Sequence, residues 1–118
     1  MPSCDVPPAF GLQVHEAAGG SVVAVTGELD AYVASELADR LLAEIREHGD
    51  RVAVDLSDAT FIDSTCLGVL LQAGRELRRP DRRLGVVCTD VTIRKIFAIT
   101  GTDRVLRICE TTEEALAD

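Results

Sequence analysis

The sequence predicts a single α/β domain built on a largely parallel β-sheet. Short β-prone segments alternate with amphipathic helical segments, and strands separated by helices are joined by crossover connections that make them parallel. The first two strands are the exception, because a glycine turn links them directly and adds a hairpin at one edge. With 118 residues, the chain is long enough for one domain, residues 1–118. We expect a mixed sheet of about five strands with about four helices.

The N-terminal half predicts a hairpin followed by a long helix. After a proline-rich tail, residues 1–10, which we expect to be flexible, apolar and polar residues alternate over 12–16, and a turn at 17–20 precedes a strand at 22–26. A helix is predicted from Asp30 to His48, because its apolar residues recur at the spacing of one helical face. These apolar residues are Val33, Ala34, Leu37, Ala38, Leu41, Leu42 and Ile45.

The C-terminal half continues the alternation of strands and helices. A β-prone run at 52–56 is followed by a helical pattern that begins at Leu67 and that Pro80 stops. On this helix, Leu67, Leu70, Leu71 and Leu77 should face the core, whereas Val69 lies off that stripe and either contacts a partner or packs against a loop. The remaining predicted elements are a strand at 84–87, a helix at 91–98, a strand at 105–108 and a helix at 112–117.

Composition and charge exclude several classes of partner. The chain has 20 acidic and 12 basic residues, and its net charge of −8 repels nucleic acid and anionic lipid. Its apolar content is 47%, yet no apolar run approaches the roughly 20 residues of a membrane span. The first residues lack the basic and apolar regions of a secretory signal. We therefore expect a cytoplasmic protein that binds neither nucleic acid nor membranes.

Arginines cluster after the helix that begins at Leu67. Cations at the C-terminal end of a helix offset its dipole, so capping and solubility are the first interpretation of this cluster, and an anion site is the alternative. The cluster consists of Arg75, Arg78, Arg79, Arg82 and Arg83.

The four cysteines have no spacing typical of a metal site or of a thioredoxin-like pair. Cys88 and Cys109 each end an apolar run, which is typical of small core residues, and Cys4 lies in the N-terminal tail. Cys66 falls in the first turn of a predicted helix, where the pKa of a thiol tends to fall. A redox role for Cys66, with another cysteine as partner, is therefore an alternative hypothesis.

The sequence contains no recognisable catalytic or cofactor-binding constellation, so we expect neither an enzyme nor a cofactor or metal. His15 and His48 have no neighbouring nucleophile, and Ser64 lacks the flanking glycines of a nucleophile elbow. Four aspartates follow or end predicted strands, and solvated turn caps are their first interpretation. They are Asp30, Asp55, Asp58 and Asp63.

Asp55 also suggests a phosphoaspartate receiver, because it ends a predicted central strand. A receiver needs an acidic pair after its first strand and a lysine near a late strand. The only lysine, Lys95, lies in a predicted helix, which argues against this class.

The most informative segment is Asp63-Ser64-Thr65-Cys66, which links the apolar pair Phe61-Ile62 to a helical pattern. It places hydroxyl groups at a helix start, where backbone N–H groups lack partners and the dipole favours negative charge. A serine at this position either caps the helix or provides a hydroxyl group for chemical modification.

Three segments together resemble the STAS-domain anti-sigma factor antagonists of bacteria. The segment Thr60 to Leu70 is similar to their phosphorylation signature, and Thr26 to Asp30 and Arg94 to Gly101 match two further motifs in the same order. The similarity extends from about Leu12 to Leu116. It implies the STAS fold.

The resemblance implies a binding module that is switched by phosphorylation. In this family the unmodified antagonist captures a kinase-type anti-sigma factor and releases the sigma factor; the kinase then phosphorylates the antagonist, and a metal-dependent serine/threonine phosphatase resets it. By position the acceptor is Ser64, with Thr65 as the alternative. The family commonly has glycine where this chain has Cys66, and the larger side chain would alter kinase docking. The residues expected to bind the partner are Asp30, Asp63, Ser64, Thr65, Cys66 and Val69.

Two other functions are alternatives. A STAS module of another assembly, such as a signalling scaffold or a transport-associated subunit, would not need phosphorylation. A hydrolase that uses Ser64 would need a histidine nearby, either His15 or His48.

Overall fold

A five-stranded mixed sheet forms the centre of the protein, as the sequence predicts. The computed structural model describes residues 10–17, 19–77, 79 and 81–117. The strands are β1 (Phe10–Ala17), β2 (Gly20–Leu29), β3 (Val52–Ile62), β4 (Gly85–Val87) and β5 (Arg107–Cys109). They lie in the order β1-β2-β3-β4-β5, with β1 antiparallel to β2 and every other neighbouring pair parallel.

Within the described residues, four α-helices connect or follow the parallel strands. They are α1 (Ala34–His48), α2 (Ser64–Arg75), α3 (Val91–Thr100) and α4 (Thr112–Leu116), and a 3₁₀ helix (Thr102–Arg104) follows α3. Gly49 and Gly101 end α1 and α3 at positive φ angles of 65° and 76°, which glycine adopts without strain. Both helix ends agree with the sequence-based prediction.

Apolar side chains cover both faces of the sheet. The larger cluster contains Val23, Val54 and Val86 together with residues of α1, α2 and α3, whereas their neighbours Val22, Ala53 and Val87 pack with α4. Because successive side chains of a strand point to opposite faces, α1, α2 and α3 cover one face and α4 the other. A Cβ atom at Gly85 would lie 2.8 Å from Ala115 Cα, so glycine at this position lets α4 approach β4 closely.

The bounds of several elements differ from the prediction. β3 runs to Ile62 rather than to residue 56, because it pairs with the long strand β2 through two register shifts. The helix predicted from Asp30 begins at Ala34. The last strand is Arg107–Cys109 rather than 105–108, because the 3₁₀ helix occupies the residues just before Val105.

The extended β3 also corrects the prediction for two aspartates. Asp55 lies inside β3, paired with Ala24 and Val87, and its carboxylate accepts hydrogen bonds from the amide and hydroxyl of Ser57. Asp58 also lies within β3, opposite Thr26 of β2. Neither residue ends a strand, so Asp55 has no receiver-like position.

Candidate partner-binding site

Two neighbouring strand ends bring Asp30 and Asp63 together at one edge of the sheet. The backbone N–H of Asp63 donates to the carbonyl of Leu29 at 3.0 Å, which continues the β2–β3 ladder one residue beyond β3. Each aspartate directly follows the last residue of its strand. Carboxyl ends of parallel strands are a common place for binding sites in α/β folds.

Asp63 caps α2, and Ser64 is the first residue of the helix. The carboxylate of Asp63 accepts the backbone N–H of Cys66 at 3.0 Å, and its carbonyl accepts the N–H of Leu67 at 3.0 Å. α2 therefore begins three residues before the predicted Leu67. Because the aspartate performs the capping, the side chains of Ser64 and Thr65 are exposed at the N-terminus of the helix.

The turn between β2 and α1 is shaped by Asp30. Its carboxylate accepts the N–H of Tyr32 at 3.0 Å, and its carbonyl accepts the N–H of Val33 at 3.1 Å. An aspartate that bonds the amide two residues later favours a turn over a helix, which explains why α1 starts at Ala34.

The buried side chain of Cys66 connects α2 to this turn through a hydrogen bond. Its side chain is fully buried, and its thiol donates to the carbonyl of Asp30 at 3.3 Å. Burial, followed by the charge of Asp63, raises the pKa of the Cys66 thiol to about 11. The prediction of a lowered pKa is therefore wrong, and Cys66 is not part of the accessible binding surface. Burial also raises the pKa of Cys88 and of Cys109.

A shallow groove lies between α1 and α2, next to the exposed hydroxyl groups. It has a volume of about 240 Å³, and its lining is mainly apolar. Its residues are Ala38, Leu42, Thr65, Gly68, Val69, Gln72 and Ala73. Val69 is half-buried, packs against the core and lines the groove between the two helices.

The sequence-based prediction missed two aromatic residues near this edge. Tyr32, in the β2–α1 turn, is 95% exposed, and Phe61, one residue before the end of β3, is 45% exposed. Tyr32 is the only tyrosine of the chain and directly follows the segment Thr26 to Asp30. Its position next to this segment is the sequence feature that could have indicated that Tyr32 lies near the site.

Both histidines lie at the opposite edge of the sheet from Ser64. His15 pairs with Val22, which pairs with Ala53 near the start of β3, and His48 ends α1 just before β3. Ser64 follows the other end of β3, about 30 Å away at about 3.3 Å per residue. This separation argues against the hydrolase hypothesis.

The structure provides no support for a metal centre or a membrane span in the part of the chain that it describes. No group of three or more histidine, cysteine, aspartate or glutamate side chains is arranged to hold a metal ion there. In the same residues, every helix is too short or too polar to cross a bilayer.

Comparisons with known proteins agree on the family. Residues 11–115 match the model of the STAS domain. The anti-sigma-B factor antagonist of Staphylococcus aureus (strain NCTC 8325 / PS 47) is 34% identical over 92 residues, which are 77% of this chain and 84% of that protein.

Solved structures show the same fold. An anti-sigma factor antagonist from Mycobacterium paratuberculosis superposes with a TM-score of 0.82 and 28% identity, over 94% of each chain. The Bacillus cell fate determinant SpoIIAA in its phosphorylated form has a TM-score of 0.62 and 23% identity, over 89% of this chain and 96% of SpoIIAA. The chain therefore belongs to the STAS-domain family of bacterial anti-sigma factor antagonists.

Proposed function

We propose that this protein is an anti-sigma factor antagonist that is switched by phosphorylation of Ser64. The unphosphorylated form binds a kinase-type anti-sigma factor, which frees the sigma factor for transcription. The anti-sigma factor ends this capture by phosphorylating Ser64, and a metal-dependent serine/threonine phosphatase restores the binding form. The observation that carries the proposal is the exposed side chain of Ser64 at the start of a helix that Asp63 already caps.

The relatives support this assignment. The Staphylococcus aureus protein that resembles this chain is named an antagonist of the anti-sigma-B factor. SpoIIAA, which shares the fold, has been solved in a phosphorylated form. By analogy, this chain acts on an anti-sigma factor and accepts a phosphate.

The fold should tolerate a phosphate on Ser64. The first N–H groups of a helix have no intrahelical acceptor, and the positive end of the helix dipole favours an anion. A phosphoserine adds a charge of about −1.5 to −2 at pH 7, and it can point to solvent because Ser64 is exposed. Since Asp63 bonds to the Cys66 amide, phosphorylation need not disturb the cap.

The same phosphate should prevent binding. In a complex, the dianion would have to be buried beside the carboxylates of Asp30 and Asp63, so both desolvation and like-charge repulsion would oppose docking. Phosphorylation then acts on the interface and leaves the fold unchanged.

The proposed docking surface combines the acidic edge with the α1–α2 groove. Asp30, Ser64 and Thr65 provide its polar part, and Val69 lies in the groove beside Thr65. Tyr32 extends the surface from the β2–α1 turn, which the Cys66–Asp30 contact holds against α2. Tyrosine is enriched among the residues that contribute strongly to protein–protein affinity.

Phosphate transfer tests the acceptor assignment. Incubation with the anti-sigma kinase of the same organism and ATP should add one phosphate to the wild-type protein and to Thr65→Ala, and none to Ser64→Ala. Intact-protein mass spectrometry measures the added mass. Labelling that persists in Ser64→Ala would contradict the assignment, as would the absence of labelling in the wild-type protein.

A charge-matched pair tests the switch. Ser64→Glu should bind the anti-sigma factor about 10- to 100-fold more weakly than Ser64→Gln, because the two side chains differ mainly in charge. Equal affinities of the two variants in titration calorimetry would exclude a charge-based mechanism.

A further inference from the structure

Positive charge is concentrated in one segment of this acidic protein. Nine of the 12 basic residues lie between Arg75 and Arg107, a segment that contains four acidic residues, although the net charge of the chain is −8. The interpretation of arginines at a helix end as dipole caps accounts for Arg75, which lies in the last turn of α2. It does not account for the arginines on β5 and α3.

Several of these arginines have structural roles. The side chain of Arg79 lies 3.9 Å from the carboxylate of Asp81. The guanidinium of Arg82 donates to the carbonyl of Leu116 at 3.2 Å, and that of Arg107 donates to the carbonyl of Ala117 at 2.9 Å. Arg82 and Arg107 thus bind carbonyl groups at the C-terminal end of α4, where cations are favourable.

Three guanidinium groups from separate segments line one cavity. Arg83 precedes β4, Arg94 lies on α3 and Arg107 lies on β5, and together they line a space of about 310 Å³. Asp103, Leu106 and Ile108 complete the lining. Among the described residues, neither Arg83 nor Arg94 has an ion-pair partner within 4.0 Å, although Asp103 lines the same cavity.

The charges near Cys109 agree with the placement of these three arginines around one cavity. Burial raises the pKa of the Cys109 thiol and the negative charge of Glu114 adds to that effect, whereas the positive charges of Arg107, Arg83 and Arg94 each oppose it. The three arginines are therefore close enough to the end of β5 to act on the same thiol.

The cavity continues into a larger, more apolar space. This adjoining space has a volume of about 460 Å³ and shares Arg94, Asp103 and Ile108 with the first. Its other lining residues are Thr89, Val91, Lys95 and Ala98, of which Val91 is 67% exposed. The combined space therefore has a strongly cationic part beside Arg83 and Arg107 and a second part with more apolar surface, which also contains Lys95.

We infer that this space, bounded by Arg83, Arg94 and Arg107, binds a small molecule that carries a phosphate group on an apolar body. Four cationic residues and the carboxylate of Asp103 line the two spaces, which gives a net charge of about +3 and favours a phosphate monoester of about −1.5 to −2. Arginine binds phosphate through paired N–H donors, and one bond from Arg107 to Ala117 leaves its other donors available. The apolar body lies along Val91, Ala98 and Ile108.

Titration with simple probes tests the site on the full chain. Inorganic phosphate, phenyl phosphate and benzoate are titrated while amide shifts are followed by ¹H–¹⁵N NMR. We expect saturable shifts at Asp103, Leu106 and Ile108, with phenyl phosphate binding at least about tenfold more tightly than benzoate and than inorganic phosphate. Shifts confined to other regions, or no saturation by phenyl phosphate up to about 10 mM, would overturn the inference.

Matched variants separate the site from general charge effects. Arg83→Gln and Arg94→Gln should each weaken phenyl phosphate binding about tenfold without lowering Tm, because both side chains are exposed. Arg40→Gln removes the same charge from an exposed position on α1 and should leave the affinity unchanged. Equal weakening by all three variants would show a nonspecific effect of net charge and would contradict the site.

Discussion

The carboxylate of Asp63 accepts the backbone N–H of Cys66 at 3.0 Å, so the capping of α2 is performed by the residue before the proposed phosphoacceptor. This division of roles lets Ser64 remain exposed at a helix start. The cap can therefore persist when the serine is modified.

Removal of the cap should destabilise the protein. Asp63→Ala should lower the free energy of unfolding by about 1 kcal/mol and Tm by about 3–6 °C, because the Cys66 amide loses its acceptor. Asp63→Asn keeps an acceptor oxygen and should lose less than half of that amount. Equal losses in the two variants, measured by thermal unfolding, would show that the aspartate stabilises α2 through its charge and not through the cap.

The glycine that is common in the family at position 66 should be unfavourable in this chain. Cys66→Gly should lower the free energy of unfolding by about 2 kcal/mol, because it removes a buried side chain and adds backbone freedom to the first turn of α2. Cys66→Ala keeps the helix propensity and should cost about 1 kcal/mol. Chemical denaturation measures both values, and a Cys66→Gly variant as stable as the wild type would contradict the packing role of the thiol.

The Cys66 thiol should be unreactive at neutral pH. Its pKa is raised to about 11, so the folded protein favours the neutral thiol, and little thiolate forms until the pH rises from 9 towards 11. Alkylation of the Cys66 peptide by iodoacetamide at pH 7.5 should be slow in the native state, fast in denaturant, and faster in the native state as the pH increases.

The same ionisation links Cys66 to stability. Because its folded pKa is above the unfolded value of 9.0, the stability that it contributes is complete below pH 9 and is lost as the pH rises towards 11.

Rapid alkylation of Cys66 in the native protein at pH 7.5, or loss of its thiol under mild peroxide, would contradict this low reactivity and support the redox hypothesis.

Tyr32 should contribute to partner binding without contributing to the fold. Its side chain is 95% exposed, so Tyr32→Ala should leave Tm unchanged and weaken anti-sigma factor binding about tenfold. His15→Ala, at the opposite edge of the sheet, provides the control and should change neither quantity. If Tyr32→Ala binds as tightly as His15→Ala in calorimetry, the β2–α1 turn is not part of the interface.

The fold could be predicted from periodicity because its segments bury one consistent face. The apolar spacing of α1 corresponds to the buried residues Leu37, Leu41 and Ile45, and Gly49 ends the helix where the sequence predicts. The predicted β3 is too short. Its second half contains the exposed polar residues Ser57, Asp58 and Thr60, and such a local sequence is typical of a turn. Its pairing with β2 is a long-range interaction, which local propensity does not contain.

The chemistry of the site was less predictable than its position. The location of Ser64 at a helix start followed from the sequence, but the direction of the Cys66 side chain did not. A thiol in a first turn has a lowered pKa only if it faces solvent or a positive charge, and this thiol faces the carbonyl of Asp30, which is 36 residues away in sequence. The exposure of Tyr32 likewise depends on the turn made by Asp30 and not on the residue type.

The most direct test of the central claim compares the protein before and after phosphorylation of Ser64. The two forms are titrated with the anti-sigma factor, and the phosphorylated form is titrated again after dephosphorylation by a metal-dependent serine/threonine phosphatase. We expect the phosphorylated form to keep a Tm within about 3 °C of the unmodified protein, to bind at least about 100-fold more weakly, and to recover full affinity when the phosphate is removed. Equal affinity of the two forms would contradict the account, and so would a loss of binding that accompanies unfolding.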